Sequence, residues 1–465
     1  MKTTYKEFPK PIAFRKLIGP SFIILALGLG SGEVILWPYM ASNYGLGIAW
    51  GAILGISFQY FINMEIERYA LIKGESVFVG LNRLFKWSAY WFILSTFIGF
   101  GLPGIIAASA KVFAALIGFE EFKWAAIGFL IFIGVILSAG KTVYGLMEKL
   151  TKSIIMIGVP FVFILAIYIS SKADWVDLAN GIIGRGMDYQ FFPEGLALAT
   201  FLAAFAYSGA GGNLNLTQSI YVKEKGYGMG KYAQKLAGLF VSKRDEKIKL
   251  SGEEFKMTKE NIARYKEWWK RISLEHLMVF WFIGGLSMAL LMLLAYTTTY
   301  GLPDNAEGIN FVINEGLVIG QQTFPILGAL FLAVVAIMLF QTQLGVMDST
   351  SRIMAENYAE KKLGKNEDAK INLSKIYYIF LWAQIAFGVI LFLFNIHEPK
   401  TLLISGAVIN AFAMFVHIAL VAILNRKALP KEFWPCRPRR LLLIGIFLFF
   451  GYFSFMVFAD KLGLL

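Results

Sequence analysis

The chain is poor in charge, in cysteine and in histidine, and each shortage removes a class of function. Only 16% of its 465 residues are charged, against about 25% in a soluble protein. Its one cysteine, Cys436, excludes an internal disulfide, a CxxC pair and any cysteine-based metal site. The three histidines, His276, His397 and His417, are far apart in sequence. No phosphate-binding GxxxxGK loop, HExxH or GxSxG run occurs. The glycine-rich run Gly28-Leu29-Gly30-Ser31-Gly32 lies inside an apolar stretch, whereas a dinucleotide fingerprint needs a strand before it and a soluble helix after it. Neither an enzyme nor a bound cofactor is expected.

What the chain has in quantity is apolar surface. It is 57% hydrophobic, with 42 Phe and 11 Trp. Crossing a bilayer takes about 20 apolar residues per helix. Eleven apolar segments can be drawn, at roughly 18–40, 46–68, 88–117, 124–140, 153–171, 194–221, 274–298, 323–350, 376–395, 401–424 and 441–460. The expectation is an all-α membrane protein of about 11 transmembrane helices, forming one domain over 1–465. The first apolar run leads straight into a hydrophobic hairpin, which reads as a retained span rather than a cleaved signal. No internal sequence repeat is visible.

Charge supports the drawing. With the N-terminus placed in the cytoplasm, the inside segments 1–17, 69–87, 141–152, 223–271, 357–375 and 424–440 carry 36 Lys and Arg, and the outside segments carry 5. Such a bias is the positive-inside pattern. It predicts a plasma (inner) membrane protein with its N-terminus cytoplasmic and its C-terminus outside. It also explains the net charge of +13 by a lipid partner, with no nucleic acid. The one sizeable hydrophilic insert, 223–271, holds 14 basic and 7 acidic residues and is read mainly as a solvated cytoplasmic linker. Ser251 and Glu254 have the spacing of a capping box, and Trp268 and Trp269 beside Lys270 and Arg271 suit a helix at the membrane interface.

Two spans are interrupted. The first holds Gly28, Gly30, Ser31 and Gly32, then Glu33 and Pro38; the sixth holds Ser208, Gly209, Gly211 and Gly212, then Asn213 and Asn215. Glycines also serve close helix packing in membranes, but here polar groups follow at once. Backbone leaves the helix at bilayer depth only where protein or a water-filled cavity satisfies it. The interrupted spans are five apart, as equivalent helices of two inverted five-span repeats would be, and such paired interruptions mark transporter sites. The repeats are placed at about 18–171 and 194–424, with an extra helix at about 441–460.

Candidate substrate- or ion-binding residues are therefore Gly30, Ser31, Gly32, Glu33, Gly209, Gly211, Asn213 and Asn215. Glu33 is the principal one, because a carboxylate inside a membrane needs a cation, a proton or a partner. Glu33 and Asn213 are the candidate metal ligands. Asn213 and Asn215 fit three roles: coordinating a cation, hydrogen-bonding a solute, or satisfying broken backbone. Gln341, Gln343, Asp348 and Glu65 are candidates for a gate or proton relay. Asp348 and Arg352 are also spaced i,i+4, as a local ion pair would be, and Glu65 and Glu67 beside Arg68 invite the same two readings.

These residues carry a resemblance. The stretch from Gly19-Pro20 to Trp50 resembles the first helix and following loop of the Nramp (natural-resistance-associated macrophage protein) metal-transporter family. Gly19-Pro20 match the family's GP, Gly30-Ser31-Gly32-Glu33 fall on its DPGN, Tyr44-Gly45 on its FG, Trp50 on its W, and Gln59-Tyr60 match a QY. The resemblance implies a LeuT-type fold of two inverted five-helix repeats within the wider amino acid-polyamine-organocation superfamily, with helices 1 and 6 unwound at mid-membrane. The family's metal-binding aspartate is replaced by Gly30 and its asparagine by Glu33. Its sixth-helix MPH pattern is replaced by Gly211-Gly212-Asn213, which removes a methionine sulfur and a histidine. An all-oxygen site suits harder cations such as Mg²⁺, and thioether sulfur helps select transition metals. The expected function is a secondary active transporter of a cation, Mg²⁺ rather than Mn²⁺ or Fe²⁺, with proton coupling as an option. A transporter of a small amine or amino acid, with room made by the glycine-lined breaks, and a non-transporting receptor are the alternatives.

Overall fold

The computed structural model describes residues 5–14, 17, 20–28, 30–139, 143–235, 246–364 and 370–464. Gly19, Leu29 and residues 236–245 of the insert lie outside the described residues.

Helix follows helix. The first half comprises α1 (Pro20–Gly28), α2 (Gly32–Tyr44), α3 (Leu46–Lys73), α4 (Val77–Leu84), α5 (Ser88–Ile117), α6 (Phe122–Ala139), α7 (Val143–Ile169) and α8 (Lys172–Ile182). The second comprises α9 (Leu198–Ala206), α10 (Thr217–Lys225), α11 (Lys259–Thr299), α12 (Asn310–Gln322), α13 (Pro325–Leu363), α14 (Leu373–Leu393), α15 (Pro399–Ala428) and α16 (Arg437–Lys461). Among the described residues seven helices are long and apolar enough to cross a membrane, or nine when two bent pairs each count as one span. This is an integral membrane protein. Of the eleven expected segments, α6 is a shorter apolar helix and the segment at 194–221 is divided between α9 and α10.

Glycine decides where the first and sixth segments divide. The first stops at Gly28 and restarts at Gly32 with a π turn, in which the Leu36 N–H donates to Ser31 O. The two parts meet at 43°. In the sixth, α9 ends at Ala206, and the chain passes through Gly211 and Gly212 before a 3₁₀ turn leads into α10. Both glycines have positive φ, 70° and 50°, a region that L side chains rarely adopt.

The two interruptions pack directly on each other. A Cβ on Gly28 would stand 2.7 Å from Gly209 C, and one on Gly32 would overlap Tyr207 O. The surrounding helices enclose this crossing: α2 packs on α11, α10 on α3, α9 on α15, and α5 on α13.

The insert corrects two expectations. No helix begins at Ser251; α11 begins at Lys259, where the Thr258 hydroxyl accepts from the Asn261 N–H at 3.2 Å. Trp268 and Trp269 belong to α11, which continues into the apolar segment. Nor is the described part of the insert a solvated linker. Trp268 is buried and donates to Pro9 O at 2.9 Å, Phe8 N donates to Asn261 Oδ1 at 3.1 Å, and Lys6 N donates to Glu254 O at 2.8 Å. A two-residue ladder, β1 (Glu246–Lys247) against β2 (Lys370–Ile371), ties it to the segment before α14. The apolar faces of Phe8 and Trp268 drive this docking, which a count of charges does not register.

The backbone crossing is testable. Gly28→Ala forces two main chains apart and should destabilise the folded protein by about 1–3 kcal/mol. Gly128→Ala, whose new Cβ would meet nothing within 4 Å, should be neutral. Thermal unfolding in detergent compares them; equal melting temperatures would remove the crossing as a constraint.

Candidate functional site

A helix end leaves backbone groups without intrahelical partners, so the interruptions must be satisfied from elsewhere. Gln59 on α3 serves the second one twice. Its Nε2 donates to Ala206 O at 2.8 Å, and its Oε1 accepts from Gly211 N at 3.2 Å. Thr342 on α13 serves the first, donating to Ala26 O at 3.2 Å. Trp37 donates to Ser208 Oγ at 2.9 Å, and Ser208 in turn to Ala204 O at 3.0 Å, which fastens α2 to α9. Asn410 on α15 donates to Gly99 O at 3.0 Å and meets Tyr207 Oη at 2.9 Å. None of these roles was assigned from sequence. The available signal was a polar side chain within an apolar span, which Gln59, Thr342 and Asn410 share.

Glu33 stands apart. It is 0% exposed, and neither carboxylate oxygen has a hydrogen-bond partner. Oε1 lies 3.7 Å from the position a Gly284 Cβ would take, a spot also bordered by Leu25 and Ile56. Glu33 is thus on the α11 side of the crossing. Asn213 is tied to α5, donating to Ser95 Oγ at 2.8 Å and Thr96 Oγ1 at 3.0 Å, and its Oδ1 has no partner. Asn215 is buried with both amide atoms unpartnered. Ser31 precedes the π turn without a side-chain cap bond. Among the described residues no group of three or more His, Cys, Asp or Glu is arranged to hold a metal ion.

The glycines are filled. Gly30 abuts the Thr342 side chain, Gly209 abuts Gln59 and Phe280, and Gly211 abuts Ala206 O. In this conformation the breaks leave no enlarged space for a solute. A cleft of about 550 Å³ does open elsewhere, lined by Tyr44, Asp177, Arg185, Tyr189, Tyr296 and Tyr300 among others, but it includes no residue of either break. Burial there pushes the Tyr189 hydroxyl above the usual tyrosine range.

The relay candidates are mostly ion-paired or enclosed. Glu65 binds Arg68 at 2.9 and 3.0 Å and Arg439 at 2.5 Å, and Arg68 lies over Trp269 at 4.0 Å. Asp348 pairs with Arg352 at 2.9 Å and accepts from Tyr377 Oη at 2.8 Å. Gln341 and Gln343 are buried, and Gln343 Nε2 has no partner.

No protein-family model matches the chain, and no curated protein matches it in sequence. Solved structures do resemble it in three dimensions. A mutant of the Eremococcus coleocola manganese transporter superposes with a TM-score of 0.72 at 11% identity, covering 99% of this chain and 90% of that one. The same transporter bound to an aromatic bis-isothiourea compound gives 0.67 at 12% identity, with coverages of 99% and 90%. A nucleobase-cation-symport-1 family transporter, closed on bromovinylhydantoin, gives 0.52 at 13% identity, with coverages of 97% and 95%. At such identities the likeness shows the fold, and it agrees with the all-α, LeuT-type membrane architecture.

Gln59→Leu should leave a buried carbonyl and a buried N–H unpaired, each costing about 1–3 kcal/mol. Thr342→Val removes a single longer bond and should cost about 1 kcal/mol. Unfolding midpoints in detergent would rank them; a Gln59→Leu protein as stable as wild type would refute the bridging role.

Proposed function

We propose that the protein is a secondary active transporter that carries a cation, and that Glu33 meets the cation between the two interrupted helices. One observation carries this reading: a fully buried carboxylate beside the interruption has no hydrogen-bond partner among the described residues. Burying a charge without a counter-charge is costly, so Glu33 suits a ligand that arrives and leaves. Freed backbone oxygens and the amide oxygens of Asn213 and Asn215, unpartnered among the described residues, supply further acceptors as the helices shift. These donors are all oxygen, and neither methionine sulfur nor histidine stands at the matching positions. The preferred cargo is a hard divalent cation such as Mg²⁺ rather than Mn²⁺ or Fe²⁺. The excess of Lys and Arg in alternate loops supports a cytoplasmic N-terminus in the plasma membrane. A small organic solute is the weaker reading, because the glycines are already packed against their neighbours.

Calorimetry and proteoliposome uptake with Mg²⁺ and Mn²⁺ test this on wild type and Glu33→Gln. Mg²⁺ should bind and be taken up, Mn²⁺ should bind weakly, and Glu33→Gln should abolish Mg²⁺ binding while remaining folded. The neutral amide costs less to bury than a charge, so the variant should be at least as heat-stable as ion-free wild type. Unchanged Mg²⁺ uptake would remove Glu33 from the mechanism. Micromolar Mn²⁺ binding would overturn the preference for hard cations.

A further inference from the structure

A second group of buried polar side chains lies where α1, α3, α10 and α11 pack together. Ser21 Oγ on α1 is 2.5 Å from Glu275 Oε2 and 2.9 Å from His276 Nδ1, both on α11. A hydroxyl has one proton to give. With Ser21 donating to Glu275, His276 Nδ1–H donates to Ser21, and Nε2 is left as an acceptor. On α3, Glu67 Oε1 accepts from Gln218 Nε2 of α10 at 2.7 Å. Four atoms of this group have no partner: Glu275 Oε1, Glu67 Oε2, His276 Nε2 and Gln218 Oε1. None of the five residues is more than 3% exposed.

No ion pair to Glu67 or Glu275 occurs among the described residues. Among the described residues, the charged and titratable groups facing the cluster are few. α1 contributes Ser21 and α10 contributes Gln218, neither of them charged. α3 contributes Glu67 and Tyr60, whose ring stacks on His276 at 5.6 Å. Arg439 on α16 lies over Phe61, next to Tyr60, at 5.2 Å, and it is already matched by Glu65 at 2.5 Å. Unpaired carboxylates this deeply buried call for a cation or a proton. Among the described residues no three His, Cys, Asp or Glu converge as metal ligands, which favours the proton.

We infer that this cluster is a proton-binding site, separate from Glu33, with Glu275 as the acceptor. The step balances. When a proton reaches His276 Nε2, the Nδ1 proton passes to Ser21 Oγ, and the Ser21 proton passes to Glu275 Oε2. Histidine and serine end neutral, and one carboxylate has become a carboxylic acid.

The site touches both interrupted helices. Ser21 is on α1. The His276 ring lies flat on Phe280 at 4.7 Å, and the tip of Phe280 is 2.8 Å from where a Gly209 Cβ would be. A hydrogen bond to a carboxylate is about twice as strong as a neutral one, so adding the proton loosens α1 from α11. Binding a proton here would thus bias the crossing at which Glu33 sits. That coupling rests on the transporter reading; the proton site itself does not.

Infrared difference spectroscopy of the protein in lipid vesicles, over a pH series and without substrate, reads the carboxyl groups directly. A protonated-carboxyl band should titrate in wild type, be lost in Glu275→Gln, shift in Ser21→Ala and persist in Glu33→Gln. If Glu275→Gln does not fold, a shifted but retained band in Ser21→Ala and in Glu67→Gln decides the matter. A band unchanged by all three cluster variants, or lost only with Glu33→Gln, overturns the inference. Vesicles holding a pH-sensitive dye provide the functional arm: Glu275→Gln should lose proton uptake while keeping Mg²⁺ binding by calorimetry. Retained proton uptake in that variant would also overturn it. Failure of wild type to bind Mg²⁺ while the band persists would strike the transporter reading alone.

Discussion

The structure depends on one contact, the crossing of two interrupted helices with almost no side chains between their backbones. Gly28 lies against Gly209, and Gly32 lies against the carbonyl of Tyr207. A crossing this close is open only to glycine, and it breaks both helical hydrogen-bond ladders. The freed groups then require fixed partners. Gln59 and Thr342 supply them from neighbouring helices. Those side chains are in turn held by the packing of α3 and α13 around the crossing.

Buried charge divides into two kinds. Glu65, Glu75 and Asp348 are bound by arginines at 2.5–3.0 Å, and their charge is matched. Lys223 and Glu356 stand 3.7 Å apart as an ion pair, too long for a hydrogen bond, while Ser76 donates to Glu356 at 2.5 Å. Such groups fasten helices together, and breaking one partner away exposes an uncompensated charge. Glu33, Glu67 and Glu275 have no cation beside them among the described residues. Glu33 and Glu275 border α1, α2 and the crossing, where a change of charge can alter how the interrupted helices sit, whereas Glu315 on α12, also buried with an unpartnered oxygen, lies elsewhere.

Helix, membrane and the location of the breaks were legible in the sequence because each follows from local composition. Apolar runs long enough to span, alternate basic loops, and glycine clusters followed by polar residues need no knowledge of distant contacts. The likeness to Nramp at Gly19-Pro20, Tyr44-Gly45, Trp50 and Gln59-Tyr60 pointed to the same fold. The i,i+4 pair of Asp348 and Arg352 was equally local, since a helix alone brings those positions together. The start of α11 was misplaced because a capping pattern at Ser251 is only a possibility until the chain around it folds.

Tertiary structure alone decided what surrounds each polar group. Nothing in the sequence says that Gln59 reaches across to Ala206 and Gly211, that Ser21 lies between Glu275 and His276 some 254 residues away, or that the glycine-lined breaks are filled rather than open. Nor does it say that Glu65 is matched and Glu33 is not. The energy of a buried carboxylate is set by which dipoles and charges lie within a few ångströms of it. Those neighbours come from other helices, and the order of residues along one helix does not encode them.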